Sequence, residues 1–260
     1  MAQPEIALVT GAGSGTGAAV TARFRRKGIA VVGIGRRVDP QVLPVPPDAA
    51  PFEWVQGDAS SADVLARALD VARTTFGAAP SILVSSAAHL EVGTVMDLPE
   101  EEWYRTFETN VFGTMRAIRA VLPGMVERGG GAIVTVGSID SVMAEQGLVS
   151  YCASKGALLQ LTRTVAMDHA RDGIRANCVI MGVTDTPFFR RHLDTASDPD
   201  RFIKIREDRQ PMGRLLQADE VAAAIEFLAS VDASGITGAA IPVDGGITTS
   251  FDFRTGEEGA

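Results

Sequence analysis

Short apolar runs alternate with longer amphipathic segments along this chain. These runs, most of them apolar and with the length of strands, occupy residues 6–10, 30–35, 52–56, 81–84, 132–136, 174–180 and 239–243. The segments with helical periodicity occupy residues 18–27, 63–76, 100–126, 149–171 and 219–230. Strands that alternate with crossover helices build a parallel sheet with helices on both faces. We therefore predict a doubly wound α/β fold.

Two stretches interrupt this alternation. Residues 40–51 are rich in proline, which a helix cannot accommodate, so we expect an extended surface connection. Residues 187–210 are polar, charged and long for a plain connection, which is typical of a mobile lid. No repeat and no linker divides the chain, so we expect one domain over residues 1–260, ending in a tail at 251–260 that reaches a neighbouring subunit.

The first strand leads into a glycine-rich loop, GAGSGTG at residues 11–17, and then into a helix. Glycines let the backbone approach a pyrophosphate, and a helix N-terminus offers unpaired N–H groups. Gly13, Gly15 and Ala18 match the dinucleotide fingerprint, although an ordinary tight turn between strand and helix explains the same glycines. In a Rossmann-like fold, the cofactor-binding residues of this loop are Gly11, Gly13, Ser14, Gly15, Thr16 and Gly17.

The second strand is followed directly by Arg36 and Arg37. In a dinucleotide fold this strand end faces the adenosine ribose, where a guanidinium pairs with a 2′-phosphate and a carboxylate with the ribose hydroxyls. Because no acid occurs before Asp39, we favour NADP(H) and keep NAD(H) as the alternative. Asp58, after the third strand, is a candidate for the adenine amino group, together with Ala59. Solvated arginines and a turn aspartate are the competing interpretations.

Tyr151 and Lys155 are four residues apart in a predicted helix and therefore share one face. An ammonium group beside a phenol favours the phenolate, so we expect Lys155 to lower the pKa of Tyr151. Ser138 follows an apolar run, where a strand would deliver its hydroxyl to the edge of the sheet. A half-buried tyrosine beside a surface lysine is the competing interpretation. The other tyrosine, Tyr104, has no basic residue four positions later, so Tyr151 is the candidate acid/base group.

Composition excludes several classes of function. The net charge of −8 argues against binding nucleic-acid phosphates. No apolar stretch is long enough to span a bilayer, and residues 1–7 lack the pattern of a secretion signal. The two cysteines have no metal-type spacing, and the three histidines are scattered. We therefore expect a cytoplasmic protein with reduced cysteines, no bound metal, and no nucleic-acid or membrane partner.

Taken together, five motifs resemble the short-chain dehydrogenase/reductase family in its short single-domain form, over residues 6 to about 246. They are TGAGSGTG at 10–17, NVFG at 110–113, Ser138, YCASK at 151–155 and GAAIPVDGG at 238–246. The resemblance implies an NAD(P)-dependent oxidoreductase that moves hydride between nicotinamide and a carbonyl compound or secondary alcohol. It also implies a homotetramer or homodimer packed through the helices at 100–126 and 149–171.

The resemblance assigns four catalytic residues, Asn110, Ser138, Tyr151 and Lys155. Tyr151 would exchange the proton, Lys155 would lower its pKa and bind the nicotinamide ribose, and Ser138 would hold the substrate oxygen. Asn110 would position a water that links Lys155 to solvent. Residues after strand ends complete the predicted site. The additional cofactor-binding candidates are Ala87, Asn110, Tyr151, Lys155, Gly182, Thr184 and Thr186, and the substrate candidates are Ser138, Asp140, Gln146, Tyr151 and Phe188.

The chain also departs from the family pattern. Residues 85–88 are Ser-Ser-Ala-Ala where the family usually has NNAG, which puts the scaffolding of the cofactor floor in question. Thr16 replaces an apolar residue, Met181 a proline and Thr184 an aliphatic residue. The phenylalanines near Phe188 suggest an apolar substrate, or alternatively pack within the lid.

Two rival functions stay open at this point. A catalytically weak dinucleotide-binding sensor or scaffold would explain residues 85–88. A hydrolase using Ser138 would need the GxSxG pattern, which this serine lacks. Because the four catalytic residues are intact, we expect an active enzyme.

Overall fold

The computed structural model describes residues 4–37, 46–193 and 196–250. The strands of its central sheet are β1 (Ile6–Thr10), β2 (Ala30–Gly35), β3 (Phe52–Gln56), β4 (Ile82–Ser85), β5 (Gly131–Val136), β6 (Ile174–Met181) and β9 (Ala240–Val243). The short strands β7 (Thr184–Asp185) and β8 (Leu216–Gln217) form a separate pair. The α-helices are α1 (Gly15–Arg26), α2 (Ala62–Phe76), α3 (Glu100–Phe107), α4 (Gly113–Arg128), α5 (Val149–His169), α6 (Pro187–Leu193), α7 (Pro199–Arg209) and α8 (Ala218–Ala229).

The seven strands of the central sheet run parallel, in the order β3-β2-β1-β4-β5-β6-β9. Leu8 of β1 lies opposite Val32 of β2 and Leu83 of β4. The chain moves outward from β1 to β3, returns to β4 and continues in the other direction. The strand order therefore reverses between β1 and β4, where ligands bind in sheets of this kind. The predicted doubly wound, Rossmann-like fold is confirmed.

Side chains alternate across the sheet and supply two separate hydrophobic cores. Leu8 faces the layer that contains α2, α4 and α5, where it shares a core with Leu65. The next residue, Val9, faces α1 and α8, where it shares a core with Phe24 and Ile225. Because strands buried on both faces need apolar residues on both, β1 is apolar without interruption from Ile6 to Val9 rather than alternating.

The single helix predicted over residues 100–126 is instead two helices joined by a π-helical turn. This turn, Glu108–Phe112, separates α3 from α4 and contains Asn110. A π turn fits one extra residue into the helix and often occurs at functional sites. The side chain of Asn110 is 1% exposed, so the asparagine is neither on the surface nor solvent-facing.

The segment predicted as a lid contains α6 and α7 rather than irregular chain. Asp198 caps α7, because its side chain accepts a hydrogen bond of 3.0 Å from the Arg201 amide. Residues 40–45, the first half of the proline-rich stretch at 40–51, and the whole tail at 251–260 lie outside the described residues. Within the described ranges, no helix has the length and apolar character needed to cross a bilayer.

Candidate active site

The glycine loop turns sharply between β1 and α1 because its glycines contact other backbone directly. A Cβ on Gly13 would lie 2.1 Å from the Arg37 carbonyl oxygen, and a Cβ on Gly17 would lie 2.3 Å from the Gly11 carbonyl oxygen. Gly11 itself has a φ of 69°, which favours glycine. These contacts hold the loop against the end of β2, so the phosphate-binding candidates and the arginines after β2 adjoin one another.

A cleft of about 780 Å³ opens at the carboxyl ends of the strands, where a parallel sheet binds its ligands. Most of the predicted cofactor residues line it, and so do two catalytic candidates and one substrate candidate. These residues are Gly11, Gly13, Ser14, Gly15, Thr16, Arg36, Arg37, Asp58, Ala59, Ala87, Thr186, Tyr151, Lys155 and Phe188. Free backbone amides at the start of α1 and cationic side chains at both ends of the cleft fit an anionic dinucleotide.

Four predicted cofactor residues are not among the residues that line the cleft: Asn110, which lies in the π turn, and Gly17, Gly182 and Thr184. Gly17 packs against Gly11, and a Cβ on Gly182 would lie 2.7 Å from the Asp244 Cα. Thr184 is buried, and its hydroxyl donates a hydrogen bond of 2.9 Å to the Gly182 carbonyl. In this structure Gly17, Gly182 and Thr184 shape the loops beneath the cleft.

Asp58 takes part in a turn at the end of β3. Its Oδ1 accepts hydrogen bonds from the Ser60 amide at 2.9 Å and the Ser60 hydroxyl at 2.8 Å. The hydrogen bond from the Ser60 amide is the main cause that lowers the pKa of the Asp58 carboxyl. The hydrogen bond from the Ser60 hydroxyl and the charge of Arg36 lower it less. The turn that we considered as an alternative role is therefore present, and the same residue also lines the cleft.

Hydroxyl groups provide the scaffolding around residues 85–88, where amide side chains are usual in the family. The Ser85 hydroxyl lies 2.8 Å from the Thr114 hydroxyl, which joins β4 to α4. Thr10 Oγ1 accepts hydrogen bonds from the amides of Ser86 at 3.1 Å and Ala87 at 3.3 Å, which joins β1 to the loop after β4. These contacts tie the loop after β4 to β1 and to α4.

Tyr151 and Lys155 lie at the inner end of the cleft on α5. The Lys155 Nζ is 5.4 Å from the centre of the Tyr151 ring and donates a hydrogen bond of 2.8 Å to the Val136 carbonyl. Burial, together with the charge of Asp140, raises the pKa of Tyr151 above its ordinary value. This direction is opposite to the one that we predicted from the spacing, because burial and the charge of Asp140 oppose ionisation of the phenol, while the Lys155 ammonium lies over the ring and donates its hydrogen bond to β5.

Ser138 and Asp140 form a second part of the site beside Tyr151. The Ser138 hydroxyl donates a hydrogen bond of 3.0 Å to Asp140 Oδ2, and the Cys152 thiol donates a weak one of 3.6 Å to Asp140 Oδ1. Burial is the main cause that raises the pKa of the Asp140 carboxyl. Asp140 and Gln146 line a second cavity, of about 670 Å³, next to the cleft.

Asn110 fixes the π turn to its surroundings. Its Oδ1 accepts a hydrogen bond of 2.7 Å from the His89 amide, and its Nδ2 donates bonds of 2.9 Å to the His89 carbonyl and to the Ser154 hydroxyl. Ser154 precedes Lys155 on α5, so these bonds connect the break in the α3–α4 helix to the catalytic helix.

Arg191 and His89 line the cleft although neither was named as a site residue; from the sequence, residues 188–193 were expected only as a stretch to line the pocket. The Arg191 guanidinium lies 5.8 Å above the ring of Phe188, which is 6.4 Å from the ring of Tyr151. A spacing of three residues on a helix would have placed Arg191 beside Phe188. His89 also lines the cleft, and the fold brings it near Glu91 and Glu102. This cluster is partly exposed, and we assign no metal to it.

The burial of Lys155 predicts a measurable dependence of stability on pH. Its side chain is 3% exposed, and burial lowers its pKa to about 8, against 10.5 in a free lysine. Between these values the unfolded chain binds more protons, so the free energy of unfolding should gain about 2 kcal/mol from this residue between pH 7.5 and 9.5. Denaturant unfolding of the wild type and of Lys155→Met at both pH values measures this gain as a difference.

The exposed residue Lys27 supplies the matched control for this comparison, as Lys27→Met. For Lys27→Met, the difference from the wild type in free energy of unfolding should be the same at pH 7.5 and pH 9.5. If the difference for Lys155→Met is also the same at both pH values, then Lys155 does not have the lowered pKa.

Comparisons with known proteins agree with this geometry. A family model described as enoyl-(acyl carrier protein) reductase matches residues 11–248. The chain is 34% identical to 2-(R)-hydroxypropyl-CoM dehydrogenase of Xanthobacter autotrophicus, over 94% of this chain and 98% of the relative. It is similar in structure to a short-chain dehydrogenase/reductase of Burkholderia xenovorans, with a TM-score of 0.91 and 29% identity over 96% and 98% of the two chains. L-sorbose reductase of Gluconobacter frateurii, solved with NADPH and L-sorbose, has a TM-score of 0.85 and 28% identity over 96% and 98%.

Proposed function

Because this chain belongs to the short-chain dehydrogenase/reductase family, we propose that it exchanges hydride between NADP(H) and a small hydroxy or carbonyl compound, with Tyr151 as the acid/base group. The family and the relatives that oxidise hydroxy compounds make the chain an oxidoreductase acting on CH–OH groups. The sensor or scaffold that we considered from the sequence is not supported.

The observation that carries this proposal is the position of Tyr151. Tyr151 lines the inner end of the large cleft. Asp140, whose charge raises the pKa of Tyr151, lines the second cavity. A cofactor in the cleft and a substrate in the second cavity would therefore meet at Tyr151. Ligand pockets combine an apolar lining with a few convergent polar groups, and this junction has that composition.

The residues at the junction divide the proton chemistry between them. The protonated phenol of Tyr151 would donate a proton to a carbonyl oxygen in reduction, and its ionised form would accept a proton from an alcohol in oxidation. Ser138 holds its hydroxyl beside this phenol and would hydrogen-bond the same oxygen as charge develops there. Bound in the cleft, the nicotinamide cofactor supplies the hydride.

Lys155 and Asn110 have supporting roles in this proposal. Lys155 is buried against β5 and stabilises the ionised form of Tyr151 once the proton has left. Asn110 holds the π turn against Ser154, and this contact keeps the start of α5 in register with the cleft. Asn110 therefore acts as a positioning residue.

The arginines after β2 support NADP(H) as the cofactor. Both residues line the cleft next to the glycine loop, and the charge of Arg36 reaches Asp58. A guanidinium at this place would bind the 2′-phosphate that distinguishes NADPH from NADH. One structural relative was solved with NADPH, which agrees with the proposal but concerns that protein.

We expect Arg36→Ala to weaken NADPH binding by about 10- to 100-fold, because a charged hydrogen bond contributes about 1.5–3 kcal/mol. NADH binding should change much less, since NADH lacks the 2′-phosphate. Calorimetric titration of the wild type and of Arg36→Ala with NADPH and with NADH measures the loss of affinity for each cofactor. Arg26→Ala, at an exposed position of α1, is the control for general loss of positive charge.

Equal losses for NADPH and NADH in Arg36→Ala would remove Arg36 from cofactor selection. The proposed activity itself is tested by mixing the wild type with NADPH and a panel of ketones and aldehydes. Loss of NADPH absorbance that depends on the carbonyl compound would support the proposal. Absence of turnover with either cofactor, in both directions, would contradict it.

The surface of α4 and α5 supports our expectation of a homotetramer or homodimer. Phe112, just before α4, and Val126 within it are nearly half exposed, and Met167 of α5 is 81% exposed. Apolar side chains on these helices are what association through them would cover. The two cysteines are free thiols, which agrees with the reducing cytoplasm that we propose as the location.

A further inference from the structure

Asp140 is a buried carboxylate in the wall of the second cavity. Asp140 is 6% exposed, and its Oδ2 lies 3.0 Å from the Ser138 hydroxyl oxygen. Burying an ionised carboxylate is costly unless cations or hydrogen-bond donors surround it. Asp140 therefore needs an explanation beyond the packing of the cavity.

The other charges of this cavity leave Asp140 without an ion pair. Glu145 is bound by Arg206 at 3.1 Å, and Asp208 is bound by Lys204 at 2.7 Å. Within the described residues, Asp140 has no salt bridge of its own. Its hydrogen-bond donors are the Ser138 hydroxyl, which is needed for the substrate oxygen, and the weakly donating thiol of Cys152, and the charge of Lys155 also acts on it without a direct contact.

The cavity as a whole suits a neutral polar molecule. Its wall contains three carboxylates, Asp140, Glu145 and Asp208, and two guanidinium groups, Arg206 and Arg209. A free carboxylate on the substrate would be repelled by Asp140, and an ammonium would meet the two arginines. A neutral hydroxyl is a donor that both groups tolerate, and a carboxylate accepts hydrogen bonds from it strongly.

The spacing of Ser138 and Asp140 resembles the spacing of two hydroxyls on neighbouring carbons. If Ser138 and Tyr151 hold the reacting oxygen, then a group on the adjacent carbon reaches Asp140 Oδ2. We propose that Asp140 accepts a hydrogen bond from this second hydroxyl, so that vicinal diols and α-hydroxy carbonyl compounds are the preferred substrates. This inference rests on the proposed function.

The reaction on a vicinal diol balances without a further reactant. The C–H bond of one carbinol breaks, and its electron pair goes with the hydrogen, as hydride, to the oxidised nicotinamide. The O–H proton of the same carbinol passes to ionised Tyr151, and a C=O bond forms. The neighbouring hydroxyl stays intact on Asp140, so the product is an α-hydroxy ketone or aldehyde.

The test compares 2,3-butanediol with 2-butanol, which has the same carbon chain and lacks the second hydroxyl. We expect the wild type to oxidise the diol with a kcat/KM at least about tenfold higher, and Asp140→Ala to lower the diol-to-alcohol ratio by about 10- to 100-fold. Asp208→Ala, which removes another carboxylate from the same wall, should keep the ratio. A fall that is equal for both compounds would mean that Asp140 only positions Ser138, and it would overturn the inference.

Saturation-transfer NMR separates this inference from the proposed function. The experiment measures binding of the diol and of the alcohol to the wild type and to Asp140→Ala, with oxidised cofactor present. Diol binding that depends on Asp140, in the absence of turnover, would support the inference and contradict the proposed function. Turnover without selectivity for the diol, or diol binding that is the same in both proteins, would overturn the inference.

Discussion

Tyr151→Phe is expected to lower kcat by about 10²- to 10⁴-fold, the range that a general acid contributes. The substitution removes one hydroxyl and keeps the ring that packs 6.4 Å from Phe188 and faces Lys155. Cofactor affinity should therefore stay within a few-fold of the wild type. Steady-state kinetics in both directions measures the loss, and calorimetric titration with NADPH measures the affinity.

The second tyrosine of the chain provides the control for this experiment. Tyr104 on α3 is 66% exposed, and its hydroxyl donates a hydrogen bond to Glu100 at the protein surface. Tyr104→Phe should behave as the wild type in both measurements. Substantial activity retained in Tyr151→Phe would mean that another group transfers the proton, and it would remove the assignment on which the mechanism rests.

Gly13→Ala is expected to weaken cofactor binding at least about tenfold and to cost about 1–3 kcal/mol of stability. The new methyl group would lie 2.1 Å from the Arg37 carbonyl oxygen and 3.1 Å from the Trp54 ring. The first contact is with backbone, so the glycine loop or the end of β2 has to move. Either movement separates the loop from Arg36 and Arg37. The loop should bind the pyrophosphate of the cofactor and the arginines its 2′-phosphate, so this separation should weaken binding.

A matched glycine isolates this effect from the general cost of the substitution. Gly235 has no atom within 4 Å of the position that a Cβ would take, and it lies far from the cleft in sequence and in topology. Gly235→Ala should keep the wild-type affinity for NADPH. If Gly13→Ala also keeps it, with an unchanged denaturation midpoint, then the close approach of the loop to β2 is not needed for binding.

The sheet and the outline of the cleft could be predicted because both depend on local pattern. Runs such as β1 are mostly apolar, and a glycine, a hydroxyl or a charged residue lies at or just after the end of most of them. In a parallel sheet all these residues reach the same edge. The prediction therefore needed only the order of the elements, and not the contacts between their side chains.

The electrostatics of the site could not be predicted in the same way. The spacing of Tyr151 and Lys155 says that they share a helix face, but it does not say which atoms meet. The Val136 carbonyl accepts a hydrogen bond from Lys155, and the charge of the buried Asp140 carboxyl raises the pKa of the Tyr151 phenol. Both partners come from β5 or from the turn just after it, so they become neighbours of the helix only in the folded chain.

The hydroxyl contacts around residues 85–88 could not be predicted from the sequence either. Ser85 and Thr114 are ordinary residues in sequence, and their buried contact connects a strand end to the first turn of α4. Predicting it would have required the rotation of α4 about its axis. That rotation depends on the π turn, which hydrophobic periodicity alone does not reveal.

The π turn also limits which changes of chain length the protein can accept. It holds one residue more than an α-helical turn, so α3 and α4 are out of phase with each other by about 100°. Deleting a single residue between 108 and 112 would let one regular helix form across the join. The apolar face of α4 would then turn away from the sheet, or Asn110 would leave Ser154. A substitution in this turn therefore affects single contacts. A deletion would cost the protein either the packing of α4 on the sheet or the contact between Asn110 and Ser154.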